Sequence, residues 1–220
     1  GGSLMLRIGC HLSSSKGYCA MAKGCPEDPR KHFPVVFPQP RGGNAKALDQ
    51  DDISRFLLQA KANDIHPFLA HAPYTLNGCS ADPALRDLRN EPWQMTLRDW
   101  NPLPEISIIF IPEASKEGTD VGISYIADML NEILKPDQTT TVLLETMSGK
   151  GSEVGKALKI REIIDKVELS DHLGVCLDTC HIWDAGYDIA DHLDDVISEF
   201  DRIIGFDRFK KPFIKCSLIL

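Results

Sequence analysis

Leu173-Gly174-Val175-Cys176-Leu177-Asp178-Thr179-Cys180-His181 decides how this chain reads. An apolar run ends in an acid, and a histidine follows three residues later. A strand buried on both faces shows an unbroken apolar run instead of alternation. Where such a strand emerges, an acid and an imidazole three apart can face one metal ion. Upstream, Thr141-Val142-Leu143-Leu144-Glu145-Thr146-Met147 repeats the pattern with Glu145 at the strand end. Two strands ending in hard or borderline ligands predict one metal site at the C-terminal face of a parallel sheet.

Elsewhere in the chain, hydrophobic periodicity predicts a strand over 7–12 and a helix over 51–62 with Asp51 or Asp52 as its cap. A strand over 67–71 ends at His71. A helix over 118–134 carries Ile123, Ile126, Leu130 and Ile133 at helical spacing and stops before Pro136. Then come a strand over 139–144, a helix over 156–167, a strand over 174–177 and a helix over 189–204. Alternating strands and helices imply a parallel sheet in an α/β fold. The segments 24–39 and 91–116 resist this reading, the first crowded with proline, the second mixing Trp, Pro and charge.

The candidate ligands each have a blander alternative. Glu145 is a metal ligand or a helix cap. His71, in Leu69-Ala70-His71-Ala72-Pro73-Tyr74, is a structural histidine taken alone and a fourth candidate ligand beside Glu145, Asp178 and His181. His11 is similarly placed and reads as a supporting or structural residue, while His172 and His192 read as surface residues. Cys176 and Cys180 read as small buried residues, with Cys180 as a ligand the lesser option. Gly149, Gly151 and Gly155 can cradle phosphate ahead of a helix, or form a flexible β–α turn.

Composition narrows the class. The chain has 220 residues, 43% hydrophobic and 25% charged, which suits a globular domain with a sizeable core. No apolar run reaches the roughly 18 residues that span a bilayer, and no signal-peptide pattern is present. Residues 1–4, ahead of Met5, read as a tag remnant or upstream readthrough. Seven irregularly spaced cysteines without a C-x-x-C pair point to a reducing cytoplasm. A net charge of −8 argues against bulk attraction to nucleic acid, though not against a local basic groove or phosphate held through metal ions.

These motifs together resemble endonuclease IV, the zinc-dependent apurinic/apyrimidinic endonuclease family (AP endonuclease family 2, deoxyribonuclease IV). The matching pieces are Ile8-Gly9-Cys10-His11-Leu12-Ser13, Pro40-Arg41-Gly42-Gly43, His71-Ala72-Pro73-Tyr74-Thr75-Leu76-Asn77, Leu144-Glu145-Thr146 with its glycine loop, and 174–181 running on to Ala185-Gly186-Tyr187-Asp188. They cover most of residues 5–205, with gaps. The resemblance implies a TIM (β/α)8-type barrel, with residues 1–220 as a single partial domain and the active site at the C-terminal face. It implies three Zn²⁺ ions and hydrolysis of the phosphodiester 5′ to abasic sites, leaving a 3′-hydroxyl, in base-excision repair of DNA. On that mapping Glu145 bridges metals and carries the catalysis, and His71, Asp178 and His181 are ligands. Tyr74 and Arg41 contact double-stranded DNA, stabilising the kinked backbone and opening the stack. The implied protein is a cytoplasmic monomer that engages no membrane.

The chain departs from the family in places. The family carries a strand-four ligand histidine in Phe-His-Pro-Gly-Ser, where this chain reads Ile109-Phe110-Ile111-Pro112-Glu113-Ala114-Ser115. After Arg208 the family's His-Leu-Asn-Asp strand, Asp-x-His pair and strand-end Glu have no counterpart before Leu220. A typical barrel has about 250 residues. The expectation is therefore a barrel incomplete at its C-terminus, with strands seven and eight missing or garbled and fewer than three zinc ions. Reading the possible codons for Pro92 to Trp100 two nucleotides later admits a helix of the family's type. The same offset from Ile109 admits Phe-His-Pro-Gly-Ser, and a one-nucleotide shift over 25–37 admits a helix end and a buried strand. This describes a frame-damaged, truncated copy with weak or no nuclease activity. Two rivals remain at this level. One is a divalent-metal sugar isomerase or epimerase on the same barrel, and the other is a non-catalytic metal-binding remnant.

Overall fold

A computed structural model describes residues 10–12, 17–23, 34–36, 49–63, 68–72, 78–79, 82, 84, 94, 97, 106–110, 112, 115–150, 154, 156–205 and 213–215. Within these residues the strands are β1 (Cys10–Leu12), β2 (Pro34–Val36), β3 (Phe68–His71), β4 (Ile106–Phe110), β5 (Thr141–Glu145), β6 (Leu173–Asp178) and β7 (Phe213–Lys215). They form one sheet in sequence order, and every neighbouring pair is parallel. The helices are α1 (Tyr18–Lys23), α2 (Gln50–Ala62), α3 (Thr119–Ile133), α4 (Ala157–Lys166), α5 (Thr179–Asp184) and α6 (Leu193–Ile204), with a 3-10 turn at Ser170–His172. Among the described residues a helix separates every pair of successive strands except β3 and β4, and with the all-parallel sheet in sequence order this is a (β/α) barrel architecture.

The strands alternate between two apolar environments. Leu69, Ile109, Leu143 and Cys176 form a cluster of their own. Their neighbours Ala70, Ile108, Phe110, Val142, Leu144, Val175 and Leu177 belong to the larger core shared with the helices. Successive side chains of a strand point to opposite faces. The small cluster is thus the interior layer of the barrel, and the large one lies between sheet and helices. Into the latter α3 presents Ile123, Ile126, Leu130 and Ile133, α4 presents Ile160, Ile163 and Ile164, and α6 presents Val196, Phe200 and Ile204.

Several boundaries move from the sequence expectation for identifiable reasons. The cap of α2 is Asp49, not Asp51 or Asp52: its carboxylate accepts from the Asp51 and Asp52 amides at 3.0 and 3.1 Å. Asp52 faces the other way and accepts from the Tyr18 and Cys19 amides at the start of α1. Gly17 lets the chain pass this close, since a Cβ there would sit 2.9 Å from Asp52 Oδ2. The last helix starts at Leu193 and not at 189. Asp188 first closes a turn of its own by accepting from the Ala190 and Asp191 amides, a side-chain competition with helix that Asp favours. Both segments that resisted a periodic reading carry a strand, β2 in one and β4 in the other. A seventh strand also pairs on β6, through Cys176 with Phe213 and Asp178 with Lys215, within the stretch expected to be missing or garbled.

Candidate metal centre

Two residues beyond the interior layer, on the same face of each strand, stand His71 after Leu69, Glu145 after Leu143 and Asp178 after Cys176. All three close their strands at the C-terminal edge. Strand alternation therefore builds a polar layer directly on an apolar one. Glu145 and Asp178 are essentially sealed from solvent, at 0% and 1% exposed, and His71 is buried.

Glu145, Asp178 and His181 each offer a ligand atom, and these atoms lie within 4.8 Å of one another. His71 is not in that group. It ends β3, which β4 separates from β5. Tyr74 and Arg41 lie outside the described residues. Among the residues given lesser roles, His192 is exposed, His172 is half-buried, and Cys176 sits in the interior layer as expected. Cys180 is half-buried instead of buried, because it lies in the first turn of α5, just past the end of β6.

The local chain explains why the three donors converge. Asp178 is both the last residue of β6 and the N-cap of α5. Its Oδ1 accepts from the Cys180 amide at 2.8 Å and the His181 amide at 3.3 Å. An Asp in this role ends a strand and starts a helix at once, which turns His181 back over the sheet edge. The imidazole Nδ1 of His181 then lies 2.8 Å from the Thr146 carbonyl oxygen. A carbonyl only accepts, so this hydrogen bond places the ring proton on Nδ1 and leaves the Nε2 lone pair as the donor. Thr146 belongs to the Leu144-Glu145-Thr146 motif, but its role escapes sequence reading except as a Thr directly after a strand-end acid.

The donor set suits a divalent cation. Two carboxylates this close and this buried repel each other unless a cation or a proton stands between them. Two carboxylates and an imidazole match the ligand chemistry of zinc and of comparable divalent ions, and an imidazole fixed through its other nitrogen is the usual form of a metal-binding histidine. Beside the centre, the glycine loop after β5 takes a left-handed step at Gly149, φ 67°. The Lys150 ammonium in that loop pairs with Asp184 at the end of α5.

The family model described as a xylose isomerase-like TIM barrel matches residues 31–211. The probable endonuclease 4 of Alkaliphilus oremlandii is 52% identical over 206 residues, covering 93% of this chain and 73% of that protein. The chain belongs to the endonuclease 4 family. Membership makes it a nuclease, a phosphodiester hydrolase by class. The family member of Akkermansia muciniphila, also a probable endonuclease 4, is 47% identical over 213 residues, covering 96% and 77% of the two chains. The crystal structure of endonuclease IV from Thermus thermophilus superposes with a TM-score of 0.75 at 23% identity, over 92% of this chain and 74% of that one. A D-psicose 3-epimerase superposes with a TM-score of 0.65 at 15% identity, over 98% and 86%. At these identities the two superpositions speak for the barrel alone. No described helix of this family member is long and apolar enough to cross a membrane.

Proposed function

We propose that the chain is a zinc-dependent apurinic/apyrimidinic endonuclease that cuts double-stranded DNA on the 5′ side of abasic sites, in base-excision repair. One observation carries this reading. The ligand atoms of Glu145, Asp178 and His181 converge within 4.8 Å at the C-terminal edge of a parallel sheet, in a chain 52% identical to a probable endonuclease 4.

Glu145, Asp178 and His181 would hold the cation, and His71, in the same polar layer, would supply a fourth donor. A divalent cation bound there supplies Lewis acidity toward a phosphoryl oxygen and a nucleophile at neutral pH. The chain's own part is to place those donors, to keep the floor beneath them dry with Leu143 and Cys176, and to hold the imidazole proton on Nδ1. Arg41 and Tyr74 would grip the kinked duplex. A net charge of −8 leaves phosphate affinity to such local contacts and to the cation. The whole chain acts as one barrel domain, as a monomer in the cytoplasm. Residue 111 is isoleucine where the family has a histidine, so the donor set is short and turnover falls below that of a relative with the full set.

The test is a duplex oligonucleotide with one abasic site. Zinc-dependent nicking that leaves an extendable 3′-hydroxyl, and that stops on chelation, supports the reading. Isomerisation of a ketose with Mn²⁺ and no nicking would replace it by a sugar isomerase. Zinc bound below one equivalent without turnover on either substrate would leave a metal-binding remnant.

A further inference from the structure

We infer that Thr146 is a positioning residue for the metal centre, setting the orientation of two ligands from a single place in the chain. Its hydroxyl accepts the backbone N–H of Asp178 at 2.9 Å, a buried contact between residues 32 apart in sequence. Its carbonyl accepts a hydrogen bond from His181 Nδ1 at 2.8 Å. Its own amide donates to the Cys176 carbonyl at 2.9 Å, which carries the β5–β6 ladder one step past Glu145. Thr146 is 1% exposed. Every backbone polar atom of this residue, and its side chain, is thus spent on β6 or on the turn into α5.

The consequence is mechanical. Glu145 precedes Thr146 in the chain, Asp178 hangs from its hydroxyl, and His181 is aimed by its carbonyl. The three ligands share one anchor, so their spacing is fixed before any cation arrives. A β-branched side chain suits the task, because its restricted χ1 delivers the hydroxyl to one place. The inference rests on the reading of Glu145, Asp178 and His181 as a metal centre and adds the residue that arranges them. Contacts behind metal ligands commonly matter by about 10- to 100-fold in affinity.

The experiment compares the unaltered chain with Thr146→Val and Thr146→Ser. Val keeps the shape and removes the hydroxyl, while Ser keeps the hydroxyl. Zinc affinity is read by competition with a chromophoric chelator, and site geometry by the ligand-field spectrum of the Co²⁺-loaded protein. Val is expected to bind zinc about 10- to 100-fold more weakly with an altered Co²⁺ spectrum, and Ser to restore both. Unchanged affinity and spectrum in a folded Val variant overturn the inference. Should Val fail to fold, the ¹⁵N shifts of the His181 ring in the unaltered metal-free protein decide: the Nδ1–H tautomer supports the anchor and the Nε2–H tautomer overturns it. If the unaltered chain binds neither Zn²⁺ nor Co²⁺, the metal reading itself fails, an outcome separable from a Val variant that binds normally.

Discussion

Glu145 and Asp178 lie on the same face of neighbouring parallel strands, each two residues beyond a member of the apolar interior layer, Leu143 and Cys176. This relationship turns strand parity into chemistry. The residue that keeps a strand in the barrel fixes the phase, and the carboxylate two positions on is carried inward with it. A charge placed that way on one strand would be a liability. Placed on two adjacent strands with His181 over them, it makes a group of donors that could hold a cation.

Glu145→Gln separates the carboxylate's two effects. The amide keeps the volume but removes one of two buried like charges. The metal-free protein is therefore expected to melt no lower than the unaltered chain. Zinc affinity is expected to fall by more than the roughly 10- to 100-fold typical of contacts behind the ligands, and abasic-site nicking should be lost with it. Calorimetry with and without chelator, together with zinc titration, reads both. A Gln variant that holds zinc normally would remove Glu145 from the centre.

Metal removal should register in stability as well as in activity. A cation that binds only the folded chain stabilises it by about 2.7 kcal/mol at a hundredfold excess over Kd. For a chain of this size each kcal/mol moves Tm by roughly 2–4 °C, so zinc is expected to raise it by about 5–10 °C over the chelated protein. Thermal scans in zinc and in chelator measure the difference. Coincident melting curves would mean that the three donors hold nothing.

Much of this centre was legible because apolar runs ending in an acid or histidine announce strand ends. Glu145, Asp178 and His71 all stand where their runs predicted. The long helices were legible through the spacing of Ile123, Ile126, Leu130 and Ile133. Shorter elements were not. A three-residue strand such as Pro34–Val36 and six-residue helices such as α1 and α5 give periodicity too little length to act on. The five-residue strand β4 is an apolar run whose period alone does not separate strand from buried helix. Among Asp49, Asp51 and Asp52 the composition favours any as cap, and only the amides that each carboxylate reaches decide. Thr146 stayed hidden because a main-chain carbonyl aimed at an imidazole leaves no mark on side-chain identity.

Parity also predicts a gain of function. The series Leu69 then His71, Leu143 then Glu145, and Cys176 then Asp178 continues in sequence as Ile109 then Ile111. Ile111→His places an imidazole at the alternation step where the other strands carry donors. It is expected to tighten zinc binding and raise nicking, each 1.4 kcal/mol of added ligation being worth about tenfold in affinity. Zinc titration and the abasic-site assay on this variant read the change. A loss of affinity would show that strand four does not continue the series.

Alkaline pH should act through Tyr18, at the start of α1. Burial pushes its phenol up to about 12, and the Asp52 carboxylate beside it adds to the rise. The ring packs against Phe56, centroids 6.2 Å apart, and Phe56 packs in turn on Phe68 at the start of β3. A phenol whose pKa is higher folded than unfolded favours the folded state while it is neutral. Its contribution is thus complete below the ordinary tyrosine value of about 10 and is lost as pH rises through about 12. Tyr18→Phe keeps the ring and removes the proton, so its stability should fall less steeply than that of the unaltered chain between these two values. Urea unfolding midpoints taken across that interval compare the two slopes, and parallel slopes would mean that Tyr18 ionises no less readily folded than unfolded.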